Sequence, residues 1–263
     1  FNLNNYTNTV PDYRANLMIY NSEGGFSSYQ SDYPFNMISS RVLHEDNHLI
    51  AVNKKSSEIV QGDRTGDTSM PDEIKAYLKK KYNKPGNVFC GVIHRLDRPT
   101  SGVILFARTS KGLERMNKQF RNKETSKTYW VVLENKPPQK KGTLIHFLKK
   151  NEKQNKSYTC SENTAGAKEA ILHYTLISSS DRYHLVEVEL ETGRHHQIRT
   201  QLASIGCCIK GDLKYGAKRS NGDGSICLHS RKLKFNHPTT KEEICLVAPL
   251  PDNVYWRIFD EFS

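Results

Sequence analysis

The segment Gly91-Val92-Ile93-His94-Arg95-Leu96-Asp97-Arg98-Pro99-Thr100-Ser101-Gly102, followed at once by Val103-Ile104-Leu105-Phe106-Ala107, decides how this chain is read. One carboxylate stands among His94, Arg95 and Arg98, in a stretch that Pro and Gly mark as a loop. The apolar run behind it carries no polar side chain and predicts a strand buried on both faces. The neighbouring cations favour the ionised form of Asp97, so a carboxylate is available at neutral pH. Such a group can attack an electrophilic carbon, support a developing positive charge, or lock the loop as a structural ion pair.

Upstream of this segment, Val42-Leu43-His44 and Leu49 to Lys54 flank the polar turn Glu45-Asp46-Asn47 and predict a hairpin. Pro71 opens a helix whose apolar residues Ile74, Tyr77, Leu78 and Tyr82 follow the helical period, with Gly86 beyond its end. Residues 1–41, rich in Asn, Ser, Tyr and Gly, are expected to form an extended arm with short strands, and residues 42–263 the main domain.

Downstream, Ser110 caps a helix with Leu113, Met116 and Phe120 on one face. Thr128 to Leu133 is a strand by its β-branched and aromatic content, and residues 143–148 and 169–178 follow as strands. Tyr183 to Glu191 alternates, with its acidic residues outward. The polar stretch Lys149 to Ala165 predicts an exposed loop near a substrate rim. Gly193 to Ile205 predicts a helix with Ile198, Leu202 and Ile205 as its buried stripe and Gly206 as its stop. Cys227 to Phe235 and Glu243 to Val247 read as strands. A final helix after Asp252 is expected to turn Val254, Tyr255, Ile258, Phe259 and Phe262 inward. Strands in consecutive runs, broken by isolated helices, do not make regular βαβ units. The pattern favours an α+β fold with a mixed, mainly antiparallel central sheet flanked by helices.

The 263 residues carry 39 Lys+Arg against 28 Asp+Glu, a formal charge of +11, which points to a polyanionic partner. Lys79-Lys80-Lys81, Lys140-Lys141, Lys149-Lys150 and Arg231-Lys232 recur beside aromatic or strand-like segments, as a phosphate footprint on a folded surface requires. A hydrophobic fraction of 36% is too high for a disordered chain and too low for a membrane one. No run approaches the ~18 apolar residues of a spanning helix, and the first residues lack the layout of a secretion signal. The six cysteines include no C-x-x-C pair and no zinc spacing, so reduced thiols in a cytoplasmic protein without a metal are expected.

His94 to Gly102 resembles the H-R-L-D-x-x-T-S-G signature of the RluA family of RNA pseudouridine synthases. Lys127-Thr128-Tyr129 is similar to the family's K-x-Y strand, and Thr192-Gly193-Arg194-His195-His196-Gln197-Ile198-Arg199 to its T-G-R-x-H-Q-I-R helix start. Weaker matches are Asn53-Lys54, Gly211 to Gly216, and Leu228-His229 before a strand ending in His237-Pro238, so the resemblance spans roughly residues 42–250. Two departures stand out. Arg98-Pro99 replaces the small hydrophobe or acid after H-R-L-D, and residues 1–41 are too short and too poor in helical pattern for an S4-type RNA-binding module.

The resemblance implies a pseudouridine-synthase-like fold with a central RNA-binding cleft and, as activity, isomerisation of uridine to pseudouridine in ribosomal or transfer RNA without a cofactor. It implies Asp97 as the nucleophile, Arg199 as its ion-pair partner with its planar fork on both carboxylate oxygens, and Tyr129 as an aromatic that stacks on the base and assists removal of its C5 proton. A uridine in structured RNA must be everted to be reached, and the resemblance makes Arg95 the residue that fills the gap. His94, Arg194 and His196 would complete substrate binding, Leu228 a pocket wall, and Lys54 a phosphate contact; a monomer suffices. Two rivals remain. One is an RNA-binding protein on the same fold without turnover, which retention of acid, Tyr and Arg argues against. The other is a glycosidase-like hydrolase, for which no second carboxylate stands at a matching motif.

Overall fold

A computed structural model describes residues 17–20, 26–29, 38–62 and 66–262. The first strands are β1 (Leu17–Tyr20), β2 (Phe26–Tyr29), β3 (Val42–Glu45) and β4 (Leu49–Lys54). Helix α1 (Met70–Lys81), β5 (Gly91–Val92), β6 (Ser101–Ala107), helix α2 (Ser110–Arg121) and β7 (Ser126–Leu133) follow. Next come β8 (Lys141–Asn151), β9 (Lys156–Cys160), β10 (Lys168–Ser179), β11 (His184–Leu190) and helix α3 (Gln197–Ser204). The chain closes with β12 (Leu228–Asn236), β13 (Glu243–Val247) and the short helix α4 (Val254–Arg257).

Strands β1 and β2 pair as a separate ribbon; the other eleven form one sheet in the order β3-β4-β6-β12-β7-β11-β10-β8-β9, with β5 added to β6 and β13 to β12. The seam between β6 and β12 is parallel and two pairs long, Ser101↔His229 and Gly102↔Ser230, whereas every other seam of this sheet is antiparallel. The mixed, mainly antiparallel α+β architecture is the one the strand pattern predicts. Gly102 has φ +111°, and a Cβ there would stand 2.3 Å from the Ser230 carbonyl oxygen, so this close approach admits only glycine.

The apolar run of β6 is buried throughout because the sheet is covered on both sides. Ile104 and Phe106 join Ile50, Val52 and the inner face of α1 on one side; Val103 and Leu105 join Leu49, Met116, Leu233 and Phe235 on the other. β7 splits the same way. Tyr129, Val131 and Leu133 belong to the first core, whereas Trp130 and Val132 pack with Leu185, Trp256 and Phe259.

Four expectations are corrected. Ile38 is fully buried in the main core and Arg41 pairs with Glu58 at 2.8 Å, so the packed body begins by residue 38, inside the segment assigned to the arm. The segment 149–165 is largely a hairpin: β8 runs on to Asn151 and β9 pairs back onto it, Leu148 with Thr159. Polar residues on both faces of this edge pair erase the alternation that marks a half-buried strand. Helix α3 starts at Gln197 because His196 adopts a left-handed conformation, φ 52°. The last helix has four residues, and Val254, Ile258 and Phe262 are exposed; Trp256 and Phe259 are buried in the core, and Tyr255 packs against it.

Candidate active site

A cleft of about 1040 Å³ opens where the loop 93–100, the start of β7, the end of β11 and the bend 192–199 meet, and Leu228 closes one wall. Eight Lys and Arg residues line it against three acidic ones, Asp97, Glu189 and Glu191. A trench so charged concentrates a polyanion over its floor.

Asp97 is placed by its backbone. Thr100 N–H donates to the Asp97 carbonyl at 3.0 Å, closing a turn. Lys54, which the resemblance makes a phosphate contact, lies instead beneath this loop with 1% exposure. Its ammonium donates to the carbonyls of Thr100 (2.7 Å), Lys55 and Arg98 (3.0 Å each) and Asp97 (3.3 Å). Burial pulls its pKa down to about 8, so it stays protonated at neutral pH and is spent on holding the loop. With the carbonyls turned down, the Asp97 carboxylate is left facing the cleft, partly accessible.

Arg199, on α3, reaches Asp97 Oδ2 with Nη1 at 3.2 Å. Its planar fork is not given to Asp97, however. Nε and Nη2 donate at 2.7 and 2.8 Å to the two oxygens of Asp212, a carboxylate with 1% side-chain exposure. Asp212 and Asp97 together push the Arg199 pKa up against the burial that lowers it. The guanidinium also lies over the Tyr215 ring, 5.0 Å from its centroid. Asp212 and Tyr215 carry the site's geometry, and the sequence signal for them is the stretch Gly211 to Gly216, an acid and an aromatic between two glycines.

His196 is the third group at Asp97, its Nε2 3.5 Å from Oδ2. Tyr215 Oη accepts from Ser157 N–H (2.8 Å) and lies 2.9 Å from His196 Nδ1. Donation of the phenol proton to Nδ1 leaves Nε2–H aimed at the carboxylate. Burial and the Arg199 charge lower the His196 pKa to about 2, so the ring beside Asp97 is neutral. The bend that carries these residues is tied by Gln197, whose Oε1 accepts from Thr192 Oγ1 (2.8 Å) and Arg194 N–H (2.9 Å).

The other expected residues divide between wall and rim. Tyr129 is buried in the cleft wall, and burial and the Asp97 charge push its hydroxyl up to about 12. Leu228, on the adjacent strand, lines the same wall. Arg95 is exposed on the rim and donates to Gln61 at 3.1 Å; Arg194, also exposed, donates to the Glu169 carbonyl at 2.8 Å. His94 Nε2 accepts from Leu105 N–H at 3.0 Å while its ring stacks on Phe120, which fixes a neutral imidazole at the root of the loop.

Burial lowers the pKa of His94 to about 3 and that of His229 to about 4, beside His196 at about 2. Each of the three binds a proton more readily unfolded than folded, so stability is full above the unfolded value near 6.5 and is lost as pH falls below it. Between pH 6 and 5 the unfolding free energy is expected to drop by up to about 1.4 kcal/mol per pH unit for each histidine. Urea-unfolding midpoints at constant ionic strength check this; equal midpoints at pH 7 and pH 5 contradict it.

Residues 48–204 match the family model described as RNA pseudouridylate synthase. The RNA pseudouridine synthase YhcT of Bacillus subtilis is 35% identical over 216 residues, which is 80% of this chain and 68% of that one. Ribosomal large subunit pseudouridine synthase C of Rickettsia prowazekii is 31% identical over 217 residues, 82% of this chain and 69% of the relative. In fold, the chain superposes on human RNA pseudouridylate synthase domain containing 4 with a TM-score of 0.71, at 23% identity, over 84% of this chain and 92% of the other. The extent of these matches, over the stretch that supplies Asp97, Tyr129 and Arg199, places this chain in the RNA pseudouridylate synthase family, isomerases that act on RNA.

Proposed function

We propose that Asp97 is the nucleophile that converts a uridine, everted from structured RNA, into pseudouridine. The observation that carries this reading is the Asp97–Arg199 contact of 3.2 Å on the floor of a cation-lined cleft with room for a nucleotide. Arg199 Nη1, 3.2 Å from Oδ2, and His196 Nε2, 3.5 Å from it, position the Asp97 carboxylate as the group that bonds a sugar carbon or stabilises a positively charged sugar. In the reaction the bond from uracil N1 to the sugar breaks, C5 bonds to the same carbon, and the C5 proton is exchanged for one on N1. The sum is an isomerisation that consumes no donor.

Tyr129 and Leu228 offer an apolar wall to the uracil, the Tyr129 ring by stacking. A phenol held near 12 is a poor base at neutral pH, so stacking is the role its surroundings support; acceptance of the C5 proton would need the phenolate. Arg95, free to leave Gln61, fills the space the nucleotide vacates. Arg194 at the rim contacts the RNA backbone. The Rickettsia relative is named a ribosomal large subunit enzyme, which supports ribosomal RNA as the target and the cytoplasm as the place of action.

RNA tritiated at uridine C5 tests the proposal: the parent protein releases tritium without liberating uracil. Tyr129→Phe is expected to bind RNA as the parent does. Tyr129→Leu should bind roughly 5- to 100-fold more weakly, the worth of one base–aromatic stack. Equal binding by Phe and Leu variants in a filter assay removes the stacking role.

A further inference from the structure

Lys127 lies two residues before Tyr129 on β7, so both side chains leave the same face of the strand, from Cα atoms about 7 Å apart, and enter the cleft. It differs from the other buried lysines. The ammonium of Lys54 is saturated by carbonyls, and that of Lys210 donates to Arg219 and Ser220. No hydrogen bond or ion pair engages the Lys127 ammonium among the described residues. Burial and the charge of Lys123 both weigh against its protonated form, with no carboxylate to offset them. Gly193 faces it across the cleft, where a Cβ would stand 3.5 Å from Nζ. Gly193 does not have a left-handed φ, so its missing side chain leaves space there rather than easing the backbone.

A half-buried cation without a counter-ion, opposite a glycine that keeps the space before it open, is a vacancy of negative charge. The Cα spacing from Tyr129 is comparable to one step of a nucleic-acid backbone. We infer that Lys127, with Gly193 opposite and Lys123 beside it, forms a phosphate subsite for the backbone phosphate next to the everted uridine. The inference rests on the RNA-isomerising reading of the cleft and adds to it a fixed register: base on Tyr129, phosphate on Lys127.

The test uses a synthetic RNA stem-loop with a uridine-containing loop, and affinity measured against KCl concentration. Each phosphate contact on a single strand contributes roughly 0.7 to the slope of log affinity against log salt. Lys127→Met is expected to flatten the slope by about that amount and to weaken binding at 0.1 M salt by roughly tenfold or more, as loss of a charge-assisted hydrogen bond predicts. Lys127→Arg keeps the slope, and Gly193→Val lowers it with the lysine still present. Lys111→Met, outside the cleft, leaves it unchanged. The urea midpoint of Lys127→Met should equal or exceed the parent's, since a purely structural lysine would lower it. A steep parent slope that Lys127→Met does not alter, or a lowered midpoint, overturns the subsite. Failure of the parent to release tritium while these slopes behave as stated counts against the Asp97 chemistry alone.

Discussion

Asp97→Asn is expected to release no tritium above RNA alone, a loss of at least about a thousandfold, or ~4 kcal/mol of barrier. The substitution is nearly isosteric, and the loop under it is held by Lys54 through carbonyl oxygens, so the fold does not depend on the carboxylate. An amide oxygen still accepts from Arg199 Nη1, but the amide cannot supply a charged nucleophile. RNA affinity should be retained within about threefold, because removing one negative charge from a cation-lined cleft does not repel phosphates. Asp97→Ala should behave the same way. Turnover by either variant at a level comparable to the parent eliminates the proposed mechanism. Free uracil in the parent reaction would redirect it to hydrolysis, and parent binding without release to an RNA-binding protein without turnover.

The second large effect is expected at Asp212. Its carboxylate takes the fork of Arg199 in two bonds of 2.7 and 2.8 Å, at a depth where water does not replace them. Breaking one side of a buried pair strands the other charge, which typically costs about 3–5 kcal/mol. For a chain of this size that is a fall in unfolding midpoint of roughly 6–20 °C. Asp212→Asn keeps the shape and one acceptor and should sit at the lower end; Asp212→Ala should sit at the upper. In both, Arg199 is released from its fixed orientation under Asp97, so tritium release at a temperature where the variant is folded should fall as well. A thermal scan of Asp212→Asn that matches the parent shows that Asp97 and the Tyr215 ring suffice to hold the guanidinium.

The contrast between Asp97 and Asp212 marks where sequence reasoning reached and where it stopped. Asp97 stood out through the resemblance of its motif to the family signature; the cations around it alone left a structural ion pair open, while the apolar run behind it predicted the buried strand found there. The Tyr129 wall was legible because alternation forces neighbours in β7 to opposite faces, and Trp130 does pack on the other core. Arg199 was placed on its helix, but the fork expected on Asp97 goes to Asp212 and leaves Asp97 a single contact. The bidentate partner lies thirteen residues beyond Arg199, in a non-helical turn, and no periodicity links the two. Lys54 read as a surface cation because lysines usually are. Only the tertiary fold shows four carbonyls converging on it. The bend before α3 was hidden for a similar reason: what stops the helix at Gln197 is a glutamine side chain tying the preceding residues, and a helical stripe of apolar positions is silent about such a clasp. At the C terminus the apolar spacing of 254, 258 and 262 was genuine, but one turn of helix gave it no face to line up on.

The position of β12 between β6 and β7 has a consequence for how the molecule comes into being. Asp97 is attached to the first of these strands and Tyr129 lies on the second; in the sheet they are joined through residues 228–236, which follow Tyr129 by about a hundred residues. A nascent polypeptide halted before that point lacks the element that brings its carboxylate and its aromatic wall into registry. The carboxylate and the aromatic wall come into registry only once the wedge strand is seated, where residue 102, bare of any side chain, lets the two backbones touch.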